Sequence, residues 1–150
     1  MSAIKSANKA LLNKGKNDHI SESEIQSSVD YWKYVVKNMN DWNLASQRKV
    51  NSRELRIGYI HAHGVFLHAL GLLGSQIIYD KSKWTALDSL SEIDWSRNSK
   101  LWKGRAVVNG RITKSITNVK LTANQIKIQR LFLLLIPTIP LGLLSIEKKL

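Results

Sequence analysis

His61, His63 and His68 are the side chains whose type comes nearest to a reactive or metal-binding set, and their spacing argues against one. On a helix His61 and His63 point to different sides, while His61 and His68 stand two turns apart, about 10 Å along the axis and too far for one ion. Packing or polar satisfaction inside a core is the expectation for them, with a phosphate or base contact as the functional alternative. Glu92 and Asp94 are the acids nearest to a nuclease pair, but two acids at i and i+2 ahead of a turn are common in ordinary proteins. The chain contains no GxSxG, P-loop, HExxH, CxxC or GxGxxG word. No catalytic residues are therefore assigned, no metal and no cofactor are expected, and the chain is expected not to be an enzyme. The absence of cysteine removes disulfides, thiolate metal sites and cysteine nucleophiles, and it fits a reducing cytoplasm.

Charge is the stronger signal. Across residues 95–146 there are nine Lys or Arg and no Asp or Glu, whereas the rest is nearly balanced; the whole chain carries a formal net charge of +12. Positive charge clustered on a fixed surface attracts polyanions, because each cation placed on a phosphate releases condensed counterions. Arg97, Lys100, Lys103, Arg105, Arg111, Lys114 and Lys120 are the candidate nucleic-acid contacts, with Arg favoured where a planar fork meets two phosphate oxygens. Double-stranded DNA is the expected partner. Trp95 and Trp102 stand among these cations, either to stack on bases or to hold the basic loop against helices. Packing is favoured, since a large aromatic is more often core than platform. Gly104 and Gly110 most simply permit turns.

The elements that must position these residues read as mainly α. Residues 1–20, rich in Lys, Asn and Ser, predict a flexible lead-in. Ser21 with Glu24 is a capping box, and Ile25, Val29, Trp32, Val36 and Met39 repeat at 4,3,4,3 spacing, an amphipathic helix whose apolar stripe needs a partner surface. Residues 40–50 predict a loop or short irregular helix. Asn51 with Glu54 then caps a long buried helix over residues 52–79, which includes four glycines that each lower helix propensity by about 1 kcal/mol relative to Ala. Gly64 and Gly71 share a face with His61 and His68, narrow enough for another backbone to approach closely. A short helix from Lys83 turns Trp84, Leu87 and Leu90 to one side. Asn109-Gly110, between Val107-Val108 and Ile112, signals a hairpin through a type I′ turn, and Thr122 caps a last helix from Ala123. The expected architecture is thus a long buried glycine-containing helix with amphipathic helices and a basic loop or short β-hairpin over it.

Residues 131–146, LFLLLIPTIPLGLLSI, are the one segment where a membrane reading can start. A helix of that length spans about 24 Å, short of the roughly 30 Å hydrocarbon core, and Pro137, Pro140 and Gly142 would interrupt it. A buried core segment and a tail from a shifted reading frame are the alternatives. Residues 1–12 lack the pattern of a signal peptide. The chain is read as cytoplasmic, with a helical region over 21–130 and a hydrophobic tail over 131–150.

The words LRIGYIHAHGVFLHALGLLG and IDWSRNSKLWKGRAVVNGRITKSITNVKLTANQIK make residues 55–127 resemble the C-terminal region of DndB-type DNA sulfur modification proteins, in the DGQHR-domain group. The matching features, in order, are an Arg-led helix with His-Ala-His-Gly, a Leu-Gly pair, Ile-Asp-Trp-Ser-Arg, Trp-x-Gly-Arg, a Gly-Arg word and a Leu-Thr-Ala-Asn-x-Ile-Lys ending. The resemblance singles out His61, His63, Asp94, Trp95, Trp102, Gly104 and Gly110, together with Arg97, Arg105, Arg111 and Lys114. It implies a DNA-binding accessory or transcriptional regulatory component of a DNA phosphorothioation system, working beside other components of that machinery. The DGQHR word is nowhere in the chain and the resemblance fades after Lys127, so a truncated or frame-disrupted copy lacking the N-terminal DGQHR domain is expected. The alternatives are a small membrane-associated protein anchored by the Leu-rich tail, or a non-functional remnant.

Overall fold

In the computed structural model, which describes residues 2–131, the segment read as a flexible lead-in contains a helix. Ser2 caps α1 (Ala3–Leu11), its hydroxyl accepting from the Lys5 amide at 3.3 Å, and Ala7 and Leu11 are buried. The correction has a physical basis: Ala3, Ala7 and Leu11 repeat at i, i+4 spacing along one side, and small residues there leave little hydrophobic signal among the lysines.

The predicted capping box opens α2 (Glu22–Lys37), with the Ser21 hydroxyl accepting from the Glu24 amide and the Glu24 carboxylate accepting from the Ser21 amide at 2.9 Å. That backbone donor, with Lys14 beside it, lowers the Glu24 carboxyl to about 2. The face of α2 is turned from its predicted setting. Ser28, Tyr31 and Val35 enter the core, with Met39 just beyond the helix, while Ile25 (52% exposed) and Val29 (40%) line an open apolar groove with Trp32 and Val36. The Tyr31 ring accounts for the turn: fully buried, it outweighs the smaller aliphatic stripe, and its hydroxyl donates to the Leu70 carbonyl at 2.8 Å.

The long helix expected over residues 52–79 is broken in two. After α3 (Asn40–Ser46), Asn51 caps α4 (Ser52–Gly58), and α5 (Gly64–Gly74) starts anew at His63. Between them the backbone pairs with another segment: Tyr59 bridges Ser96, the Ile60 amide donates to the Trp95 carbonyl at 3.0 Å, and the Arg97 amide donates to the Gly58 carbonyl at 2.8 Å. These bonds replace the ones a continuous helix would make. Local periodicity cannot reveal the break, because the run stays apolar through it. The predicted glycine face therefore reduces to Gly64, His68 and Gly71 on α5, with His61 outside it. The close approach is real: α1 runs alongside α5, and a Cβ at Gly71 would overlap the Ala7 carbonyl.

The third predicted helix is a 3₁₀ segment, Lys81–Glu92, capped by Asp80 and burying Trp84, Ala86, Leu87 and Leu90. A 3₁₀ turn, Lys100–Trp102, leads to β1 (Val107–Val108) and β2 (Arg111–Ile112), antiparallel with Val107 opposite Ile112. The last helix, α6 (Ile116–Ile126), starts earlier than the Thr122 cap predicted and continues into a π turn, Lys127–Leu131. Thr122 is buried inside it, its hydroxyl donating to the Asn118 carbonyl at 2.7 Å rather than capping. α5 packs against both α1 and α6 and forms the middle of a mainly helical fold. Among the described residues no helix is long and apolar enough to cross a membrane; the hydrophobic tail, beyond Leu131, lies outside them.

Candidate nucleic-acid interface

Trp95 and Trp102 stack face to face, centroids 5.2 Å apart and planes 9° from parallel. Both are buried, and both satisfy their indole N–H on backbone: Trp95 donates to the Leu90 carbonyl at 2.9 Å and Trp102 to that of Asp94 at 2.7 Å. Trp95 also meets Phe66 of α5 edge-on at 4.8 Å. The pair fastens the basic segment to the helices, which leaves neither ring free as a platform for bases. Asp94 belongs to the same fastening, its carboxylate accepting from the Ser96 amide at 2.9 Å.

The hairpin on top forms as Asn109-Gly110 predicts, with φ +50° and +72°, the left-handed pair a type I′ turn requires. Gly104, also at φ +72°, donates its amide to the Val107 carbonyl at 2.8 Å and sets the chain into β1. The seven predicted contacts then divide. Arg97 Nη2 donates to the Gly110 carbonyl at 2.7 Å and Arg105 Nη1 to that of Leu101 at 3.2 Å, so these two guanidinium groups brace the loop. Lys100, Lys103, Arg111, Lys114 and Lys120 are exposed, and none of them enters an ion pair among the described residues.

Two clefts flank the hairpin. One, of about 290 Å³, is lined by Arg97, Asn98, Lys103, Asn109 and Gly110. The other, of about 470 Å³, brings Lys114 and Thr113 together with Arg56, His63 and His68. Val107 walls the first and Ile112 the second, and these residues are cross-strand partners, so the clefts share the ribbon between them. Among the described residues no carboxylate lines either cleft. Arg56 is not among the sequence-predicted contacts, and His68 could not be joined to Lys114 from sequence, because both stand more than 40 residues before it. The available signal was the Arg that leads the His-Ala-His-Gly word.

The histidines part company. His61 is buried, its Nε2 donating to the Asp41 carboxylate at 2.9 Å, with Tyr59 stacked on it and Trp42, Phe66 and Trp95 edge-on around it. Burial holds its pKa below the usual value despite Asp41. The ring is enclosed while the carboxylate is about a third exposed, so water weakens the pairing more than it relieves the ring. Protonation would also leave an N–H at Nδ1, which is buried without a partner. His63 Nε2 donates to the Arg56 carbonyl at 2.7 Å, on the other side of the turn. Burial lowers the pKa of His68 as well. Among the described residues no three or more His, Cys, Asp or Glu come together to hold a metal ion.

Neither a curated protein nor a solved structure matches the chain. A family model does: that of DndB, described as DNA-sulfur modification-associated, matches residues 1–131. The match reaches well before the 55–127 words and takes in α1, the helix seated on α5, along with every other described element. The chain belongs to the DndB family of DNA-sulfur modification-associated proteins.

Proposed function

We propose that this chain is a DNA-binding regulatory component of a DNA sulfur modification system, working in the cytoplasm, and that it seats duplex DNA on the hairpin face without catalysing a reaction on it. The observation that carries this reading is a set of five exposed cations without an ion pair among the described residues, running from Lys100 through the hairpin to Lys120 on α6, over the buried Trp95–Trp102 stack. Cations on a fixed surface keep their spacing, so a phosphate backbone can meet several of them together. Among the described residues the clefts beside them offer cations, amides and hydroxyls but no acid, a lining suited to holding an oxyanion rather than to general-base work. The regulatory part of the reading draws on the likeness to DndB-type proteins.

The test is duplex binding by the full chain across a range of salt, with DNA from upstream of the modification genes and an unrelated duplex. The logarithm of affinity should fall against that of salt concentration with a slope of about −0.9 for each phosphate neutralised, so about −4 to −5 if all five cations engage. Lys100→Gln, Lys103→Gln and Arg111→Gln should each reduce its steepness by about 0.9. Binding that ignores salt, or a triple variant with an unchanged slope, would sink the proposal. Equal affinity for the two duplexes would remove its regulatory part.

A further inference from the structure

The larger cleft is assembled from parts of the chain far apart in sequence: Ser6 on α1, Arg56 on α4, His63 and His68 at and one turn beyond the start of α5, and Thr113 and Lys114 after β2. We infer that this cleft is the seat of one phosphate group of the DNA backbone, held between Arg56 and Lys114; the inference rests on the DNA-binding reading above. Four features of the cleft support it.

The first is uncompensated charge. Neither Arg56 nor Lys114 has an ion-pair partner among the described residues, and no carboxylate lines the space between them. A planar guanidinium and a point-charge ammonium are together the usual means of gripping a phosphate, one by its two-pronged fork and the other by charge. The second is donor supply. Thr113 Oγ1 accepts from the Ser115 amide at 3.2 Å, which leaves its hydroxyl hydrogen available to donate, and Ser6 adds a second hydroxyl to the lining.

The third is an open helix start. α5 has eleven residues and no side-chain cap; the His63 ring at its N-cap donates from Nε2 to the Arg56 carbonyl. Gly64 and Val65, whose amides belong to that first turn, both line the cleft, so an anion there would serve as the missing cap. The fourth is position. Ile112 walls this cleft and its partner Val107 walls the neighbouring one, so a backbone running across the hairpin meets both. A volume of about 470 Å³ admits a phosphodiester with its flanking sugar.

The sequence hides this seat because only two of its cations and hydroxyl donors, Thr113 and Lys114, come from the acid-free segment. The experiment uses the full chain with Arg56→Gln, Lys114→Gln and the double variant, each checked for unchanged thermal unfolding. Because both residues hold one phosphate, the double variant should reduce the steepness of the duplex salt slope by about 0.9 in total, one phosphate's worth. Inorganic phosphate should in parallel shift the ring resonances of His63 and His68 in the unaltered chain, and Arg56→Gln should abolish the shifts. A loss of about 1.8 in the double variant would mean two separate phosphates and overturn the shared seat. Slopes untouched by both variants but reduced by Lys103→Gln would overturn the seat and leave the DNA reading standing. Should the unaltered chain bind no duplex, that reading falls by itself. Phosphate-induced ring shifts lost in Arg56→Gln would then assign the seat to free phosphate, and their absence would overturn it.

Discussion

At the seam between α1 and α5 a methyl group on Gly71 would overlap the Ala7 carbonyl, and one on Gly74 would fall 2.5 Å from both Leu11 and the Tyr31 ring. At the hairpin face a methyl on Gly104 or Gly110 would meet nothing within 4 Å, yet both residues hold φ at +72°. In the first region glycine is needed for space and in the second for backbone conformation. The seam is therefore where two helices approach closely enough to exclude a side chain, and its product is stability. The hairpin turns Val107 and Ile112 inward and presents Lys103, Arg111 and Lys114 along its edge, with the two stacked tryptophans beneath it. On the proposed reading DNA binding and stability are divided between the regions, and Trp102 lies where the division can be tested most severely.

Trp102→Ala should have the largest effect. The side chain is fully buried, so its removal should cost about 3–5 kcal/mol, read from denaturant unfolding of the full chain. Because the stack also fixes the loop, duplex affinity should fall in conditions where the variant is still folded. A loss below about 1 kcal/mol would mean that the hairpin face is not held by this stack. Gly71→Ala comes next. Alanine gains about 1 kcal/mol of helix propensity, but its methyl must displace the α1 backbone, which has no rotamer to retreat into. Overpacking of that kind costs roughly 1–3 kcal/mol, and the upper part of that range should prevail. Here the expectation for binding is the reverse of that for Trp102: the salt slope of the folded variant should match the unaltered chain. A stabilised Gly71→Ala would show that α1 does not sit against α5, and a flattened slope would dissolve the division between the regions.

Some of this was legible in the sequence and some could not have been. The Ser21–Glu24 box and the Asn109-Gly110 turn were readable because each is a local bargain between side chain and backbone, complete within four residues. The packing role of Trp95 and Trp102 followed from size alone. The break at residues 59–63 was not readable, because it is caused by bonds to residues 95–97, and an apolar run looks the same to periodicity whether or not it is interrupted. α1 was hidden by its small residues, whose value is that Gly64 stands opposite Ala3 and Gly71 opposite Ala7. The face of α2 was misjudged because Tyr31 counts as half polar until its hydroxyl finds the Leu70 carbonyl. The candidate site divides along the same line. Charge pattern marked Lys103, Arg111 and Lys114, whereas Arg56 and His68 joined the cleft only once α4, α5 and β2 were brought together.

The smallest expected effect tests whether the two regions unfold as one. His61 stands at their junction, in contact with Trp95 of the basic segment and Phe66 of α5, and burial lowers its pKa in the folded chain. The unfolded chain therefore takes up a proton at a pH where the folded chain still refuses it. As pH falls below the ordinary histidine value near 6.5, unfolding draws in protons and stability declines, until the folded ring titrates too; above that value this group contributes no slope. His68, also lowered by burial, acts in the same direction, so His61→Phe should shrink the decline between pH 7 and pH 5 without removing it. Stability that rose on acidification would mean that Asp41 outweighs burial at the ring. Helix circular dichroism and tryptophan fluorescence followed through that decline should give coincident unfolding curves, because the ring touches both regions and its protonation strains both. A fluorescence transition that precedes the loss of helix would instead show the hairpin face lifting from a seam that holds without it.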